Sequence, residues 1–264
     1  MIKQVFGALL RAVIVVFIIV IPSASVSAGA SHAQLFTFTF ALLAGSIVFV
    51  EYLVETPAVL EFRFASPYNR LRIMGAAVLA LVLALSLSSQ VLIGEGILPS
   101  IATLAERAMT NWNSPATLMV NAFGFEDAGF YNLVFRIASF LFFIGLFFAI
   151  VFGAYVWLGA WPLSKQGFNL WPNMPSFTAR AGQKASTKIL QVAILSVALA
   201  LTLPYILPAA VKYGRNSIGL NFEDSRLLLY WVLLFWALTP AMALFRAISL
   251  LKLAFLAENI RKFE

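Results

Sequence analysis

The feature that most constrains this chain is a series of six long apolar stretches, with Lys and Arg concentrated in alternate gaps between them. A run of about 20 apolar residues is long enough to cross the hydrocarbon core of a bilayer as an α-helix. Loops rich in Lys and Arg stay on the cytoplasmic side of the membrane. The sequence therefore predicts an all-α, polytopic membrane bundle whose orientation can be assigned.

The predicted spans form one transmembrane domain over residues 1–264. They cover, in chain order, residues 5–21, 35–54, 73–93, 131–161, 189–211 and 227–245. With 62% hydrophobic and only 11% charged residues, the chain could not bury its apolar surface without lipid. The first stretch also fits a cleavable signal peptide, because small residues at Val26-Ser27-Ala28 follow a basic start. We favour a retained first helix.

The charge distribution predicts which side of the membrane each loop occupies. The gap between the fourth and fifth spans carries four basic residues and no acid, whereas residues 94–130 carry four acids and one Arg. Both termini are therefore expected in the cytoplasm of a bacterial-type inner membrane. The net charge of +7 is spread over several loops, which indicates attraction to anionic lipid and not nucleic acid binding.

Cysteine and histidine, which commonly bind metal ions or take part in catalysis, are almost absent from the sequence. The chain has no cysteine, and its one histidine is His32. Disulfides, thiolate nucleophiles, Fe–S clusters and multi-histidine sites within this chain are thereby excluded. No known catalytic motif occurs in a sequence context that would support it. We therefore expect that the protein has no catalytic residue, binds no metal ion and is not an enzyme.

Three segments outside the regular spans are predicted to be helical or bent. Residues 99–123 contain two short amphipathic helices on the outer face, the second beginning at Ser114-Pro115 and ending at Gly124. Pro204 and Pro208 predict a kink or a frayed end in the fifth span. After Pro240 the helix is expected to bend, and residues 246–264 are expected to form an amphipathic interfacial tail helix along the inner surface.

Two acids in the second span are candidate functional residues. Glu51 and Glu55 stand four positions apart, on one face of the helix near its cytoplasmic end. Acids at this depth are costly unless they are paired or functional. Arg63, Arg70 and Arg72 follow on the same side, so we expect ion pairs. Proton or cation handling is the alternative.

Two acidic pairs precede the fourth and sixth spans. Each follows a phenylalanine and lies at the outer start of an inward-running helix, where carboxylates complement the helix dipole. An internal repeat or a shared cation site is the alternative. Arg136 and Arg226 are near enough to pair with these acids. The residues are Glu126, Asp127, Glu223 and Asp224.

The fourth span is crowded with phenylalanines that point in several directions around the helix. Some must therefore face lipid, a partner protein or a flat apolar cofactor such as a carotenoid, quinone or chlorin. Phe140, Phe143 and Phe147 are the candidates. Trp161 and Trp171, each followed by proline, are expected to pin the next loop along the inner surface.

Small residues spaced four apart predict where helices approach closely. Ala41 and Gly45 form such a line in the second span, and Gly145, Ala149 and Gly153 form one in the fourth.

These patterns predict a non-catalytic subunit or assembly factor of a larger, for example energy-converting, membrane complex. Its expected partners are lipids and other membrane subunits. A permease or channel component for a small solute or ion is the first alternative. A membrane-embedded enzyme that uses carboxylates is the second.

Overall fold

The computed structural model describes residues 2–26, 31–54, 61–62, 66–159, 161–162, 173 and 185–260. Within these ranges the chain is helical and contains no strand. The helices are α1 (Ile2–Val26), α2 (Ser31–Leu53), α3 (Ser66–Ser89), α4 (Ile97–Ala108), α5 (Pro115–Phe123), α6 (Ala128–Leu158), α7 (Ala185–Ile218) and α8 (Arg226–Ile260). Six of them, all but α4 and α5, are long and apolar enough to cross a membrane. The predicted fold class is confirmed.

The helices α6 and α8 lie at the centre of the bundle. Helix α6 packs against α3, α4, α5 and α8, and α8 also packs against α1, α3 and α7. Helix α2 packs mainly on α1, at the periphery. Helices α4 and α5 lie at one end of the bundle, where α6 also begins, and we call this the cap end. The opposite end, where α3 begins and α6 ends, is the loop end.

Glycines bring two helix pairs into close contact, as the small-residue spacing predicts. A Cβ atom on Gly45 of α2 would lie 2.6 Å from Val16 Cγ2 and 3.3 Å from the Ala12 carbonyl oxygen of α1. A Cβ atom on Gly145 of α6 would lie 3.4 Å from the Ala241 Cβ of α8. Backbone-to-backbone approach of this kind replaces the hydrophobic effect as the source of helix association in lipid.

Helix α5 begins and ends where the sequence predicts. The Ser114 hydroxyl accepts a hydrogen bond from the Thr117 amide at 3.1 Å, and Pro115 occupies the first turn. Gly124 ends the helix with φ +65°, and a Cβ atom there would lie 1.2 Å from Arg215 Nη1. Position 124 thus needs glycine for its backbone conformation and for the arginine that packs over it.

The last two helices extend further than predicted. Helix α7 runs through Pro204 and Pro208 to Ile218, and α8 runs through Pro240 to Ile260. A frayed end at the prolines of α7 is not observed, and the predicted sixth span and C-terminal helix form one helix without a break at residue 245. Prolines are tolerated inside membrane helices because neighbouring groups satisfy the carbonyls that they leave without a donor. The Trp236 Nε1–H of α8 donates to the Pro204 carbonyl oxygen of α7 at 3.2 Å.

The apolar residues of helix α4 do not all lie on one buried face, although its prediction as an amphipathic helix implies that they do. Ala102 and Ala105 are buried, whereas Ile97, Ile101 and Leu104 are 81%, 45% and 63% exposed. Small side chains let α4 approach α6, and this contact turns the larger side chains outward. The helix therefore carries an apolar stripe that the rest of the described bundle does not cover.

Candidate functional site

Two ion pairs between described residues join separate elements, and the first of them links α4 to α6 at the cap end. Arg136 Nε lies 2.7 Å from Glu106 Oε2, and the two side chains are 29% and 23% exposed. Arg136 Nη1 also donates to the Leu92 carbonyl oxygen, just beyond α3, at 3.5 Å. The expected pairing of Arg136 with Glu126 or Asp127 is wrong. Arg136 lies two turns into α6, level with α4 and not with the acids that precede the helix.

The second ion pair joins α8 to the segment after α2. Arg246 Nε and Nη2 donate to the two carboxylate oxygens of Glu61 at 2.6 and 2.8 Å. Arg246 Nη1 donates to the Ser196 hydroxyl of α7 at 3.4 Å. One guanidinium thus links three parts of the chain, in the bidentate geometry that suits arginine and a carboxylate.

Sequence reasoning missed this second pair. The sequence places Arg246 in an interfacial helix after a bend at Pro240, whereas the last helix runs on to Ile260 and holds Arg246 against the bundle. Glu61 is not among the predicted site residues. No local pattern connects the two residues, because 185 positions separate them.

Aromatic side chains pack beside the Arg246–Glu61 pair at the loop end. Phe62 is fully buried, with its ring centroid 4.7 Å from that of Tyr68 and 6.2 Å from that of Trp161. Phe152 and Phe245 stack at 4.7 Å between centroids. The Phe62 amide donates to the Asn173 carbonyl oxygen at 2.6 Å, which connects the backbone of Phe62 to that of Asn173.

Two aromatic residues expected to face outward are buried. Trp161 is only 7% exposed because it packs on Phe62 and Phe152. It therefore belongs to the interior of the bundle and does not lie on its surface. Phe140 is 5% exposed and belongs to the core around α6. Phe143 and Phe147 do lie on the outer surface of the bundle.

The two acidic pairs meet at the cap end. Glu223 Oε1 accepts hydrogen bonds from the backbone amides of Glu126 at 2.8 Å and Asp127 at 3.3 Å. The Asp127 carboxylate caps α6 by accepting from the Gly129 and Phe130 amides. Asp224 Oδ2 accepts from Asn221 Nδ2 at 2.8 Å.

These contacts favour the capping interpretation for Asp127 over a cation site, since backbone and amide N–H groups are the donors. The prediction that Arg226 pairs with the acids is replaced by a different contact. Its guanidinium carbon lies 4.4 Å from the centroid of the Phe130 ring. A cation over the face of an aromatic ring is attracted to it, so this contact stabilises the start of α8 against α6.

The candidates near the end of α2 are only partly described. Glu51 is buried, 6% exposed, and Arg70 is exposed on α3. Glu55, Arg63 and Trp171 lie outside the described residues, so the pairing of Glu51 and Glu55 with the arginines stays a prediction.

A cavity of about 130 Å³ lies between α6, α7 and α8. Phe142 and Gly145 of α6, Ala200 of α7, and Ala237 and Ala241 of α8 form part of its apolar wall. Leu201 and Tyr205 line its α7 side and are 64% and 50% exposed, so the cavity reaches the lateral surface of the bundle.

Among the described residues, no group of three or more His, Asp or Glu side chains is arranged to hold a metal ion. Comparisons with protein-family models, with curated proteins and with solved structures find no match for this chain.

Proposed function

We propose that this chain is a non-catalytic, multi-pass subunit or assembly factor of a larger membrane protein complex. The observation that carries the proposal is the arrangement of α4. Ala102 and Ala105 pack on α6, while Ile97, Ile101 and Leu104 form a stripe on the outside. Exposed apolar patches of this kind mark contact sites for another protein or for the membrane.

The lengths of the central helices support a protein contact surface that lies outside the hydrocarbon core of the bilayer. Helices α6, α7 and α8 contain 31, 34 and 35 residues. About 20 residues suffice to cross the hydrocarbon core, so roughly ten or more residues of each helix extend beyond it. Part of that extra length meets α4 and α5 at the cap end.

The ion pairs favour a structural function over proton or solute handling. Arg136 and Arg246 each bind a carboxylate, and each pair joins separate elements of the bundle. Groups that relay protons in transporters line a water-filled cavity or a broken helix. Here the cavity between α6, α7 and α8 is apolar and lies to one side.

Extraction in a mild detergent followed by native gel electrophoresis tests the proposal. We expect the 29.0 kDa chain to migrate in a complex of fixed composition, identified by mass spectrometry of the band. Ile101→Ser with Leu104→Ser should release the chain from that complex. Arg107→Ser, on the exposed side of the same helix, is the matched control and should not.

Recovery of the wild-type chain only as a free protein, together with saturable solute flux in liposomes, would overturn the proposal in favour of a permease. Retention of the complex in the Ile101→Ser, Leu104→Ser variant would show that α4 is not the contact surface.

A further inference from the structure

The cavity between α6, α7 and α8 lies within the hydrocarbon depth of the bilayer. Lys188 and Lys212 of α7 flank 23 uncharged residues, 189–211. At 1.5 Å per residue these span about 35 Å, close to the roughly 30 Å thickness of the hydrocarbon core. Leu201 lies near the middle of this run, and Tyr205 lies between it and the cap end. The cavity therefore opens into the acyl-chain region of the cap-side leaflet.

The size and lining of the cavity suit a short segment of a hydrocarbon chain. Apolar cavities of about 150 Å³ stay dry in proteins and accept guests the size of benzene. At about 130 Å³ this cavity is similar in volume, and its wall is made by Gly145, Ala200, Ala237 and other apolar residues. The small residues Gly145, Ala200, Ala237 and Ala241 leave this space open, and larger apolar residues such as Phe142 and Leu244 complete its wall.

A cation stands above the cavity at the depth of lipid headgroups. Lys212 follows Tyr205 by seven residues, which places the two side chains on one face of α7, two turns or about 10 Å apart. Lys212 is exposed. Headgroup regions begin within several ångströms of the hydrocarbon boundary, so Lys212 lies at the height of a lipid phosphate. Positive charge at that height complements the phosphate, and the lysine stem can reach toward it.

We propose that this surface binds one phospholipid of the cap-side leaflet, with an acyl chain in the cavity and the phosphate at Lys212. The proposal does not depend on the complex-subunit function. It assigns Ala200 and its neighbours to the chain, Tyr205 to the level between chain and headgroup, and Lys212 to the phosphate.

Native mass spectrometry of the delipidated protein in dodecyl maltoside tests the site. The probes are dioleoylphosphatidylglycerol and dioleoylglycerol, which carry the same chains with and without a phosphate. We expect one phosphatidylglycerol to remain on each wild-type chain under conditions that strip the others. Dioleoylglycerol should be retained at least fivefold less.

Two pairs of variants separate the chain contact from the headgroup contact. Ala200→Leu should lower retention of both lipids at least tenfold, because it fills the cavity. Ala198→Leu, which adds the same side chain on the exposed face of α7, should not. Lys212→Gln should reduce retention of phosphatidylglycerol to that of dioleoylglycerol, and Lys212→Arg should preserve it.

Equal retention by wild-type and Ala200→Leu protein would overturn the cavity assignment, and equal retention of the two lipids by wild type would overturn the headgroup assignment. If Ala200→Leu fails to fold, the two variants of the exposed Lys212, Lys212→Gln and Lys212→Arg, still test the proposal. Equal retention of phosphatidylglycerol by those two variants would contradict it.

Discussion

Arg246 in the last helix binds both carboxylate oxygens of Glu61, a residue from the segment that follows the second helix. The side chains are 32% and 17% exposed. This single contact ties the loop end of α8 to a part of the chain 185 positions away. Beside it, Phe62 is buried among aromatic rings, so the ion pair and the aromatic cluster hold the same segment.

We expect Glu61→Gln to reduce the free energy of unfolding by about 2 kcal/mol, because charge-assisted hydrogen bonds are lost and Arg246 keeps a partly buried charge. Unfolding by a denaturing detergent, followed by circular dichroism, measures the loss. Glu61→Met combined with Arg246→Met should recover part of it, since neither charge is then left unpaired.

The exposed Arg107→Gln variant provides the control for a lost arginine charge and should change stability by less than about 0.5 kcal/mol. A loss in Glu61→Gln no larger than in this control would show that the pair is not a structural link.

Much of the bundle could be predicted because hydropathy is a local property of the chain. The six spans follow from runs of apolar residues, and the limits of α5 follow from the capping residues Ser114 and Gly124. The small residues Ala41 and Gly45 predict a close helix contact in the second span, although not that α1 makes it.

What could not be predicted depends on which helices become neighbours. Arg136 has acids nearby in sequence, yet it pairs with Glu106 because α4 packs on α6 at that level. The bend expected after Pro240 places Arg246 in an interfacial tail outside the bundle, but α8 continues through this proline. In α7, the carbonyl of Pro204 has no backbone donor because of Pro208, and the Trp236 indole of α8 supplies one, so the helix continues through its prolines. The outward stripe of α4 likewise depends on the contact of Ala102 and Ala105 with α6.

Gly45→Ala should separate α1 from α2. The new methyl group would lie 2.6 Å from Val16 Cγ2 and 3.3 Å from the Ala12 carbonyl oxygen, so backbone as well as a side chain must shift. Overpacking of this kind costs about 1–3 kcal/mol. Thermal unfolding in detergent measures it.

Gly214→Ala in α7 is the matched control, because its methyl group would meet only Leu220 Cδ1 at 3.9 Å. This variant should be neutral or slightly stabilised, since alanine favours a helix over glycine by about 1 kcal/mol. Equal destabilisation of the two variants would argue against a specific α1–α2 contact.

The orientation predicted from the charge distribution can be tested cleanly because the chain contains no cysteine. Asn113→Cys places one thiol at the cap end, and Arg70→Cys places one near the loop end, both at exposed positions. A membrane-impermeant maleimide added to intact cells should label Asn113→Cys only. Arg70→Cys should react after lysis. The opposite labelling pattern would reverse the proposed orientation with both termini in the cytoplasm.

The Trp236–Pro204 hydrogen bond should become dispensable when position 208 regains a backbone N–H. Pro208 cannot donate to the carbonyl four residues earlier, so the Trp236 indole supplies the donor for Pro204. Trp236→Phe should therefore cost about 1–2 kcal/mol of unfolding free energy for the lost hydrogen bond, in addition to the cost of the cavity left at the buried indole. In the Pro208→Ala background, the same substitution should cost about 1 kcal/mol less, because the backbone then satisfies the carbonyl. A double-mutant cycle from thermal unfolding in detergent measures this coupling, and identical costs in both backgrounds would show that the indole donor does not compensate for the proline.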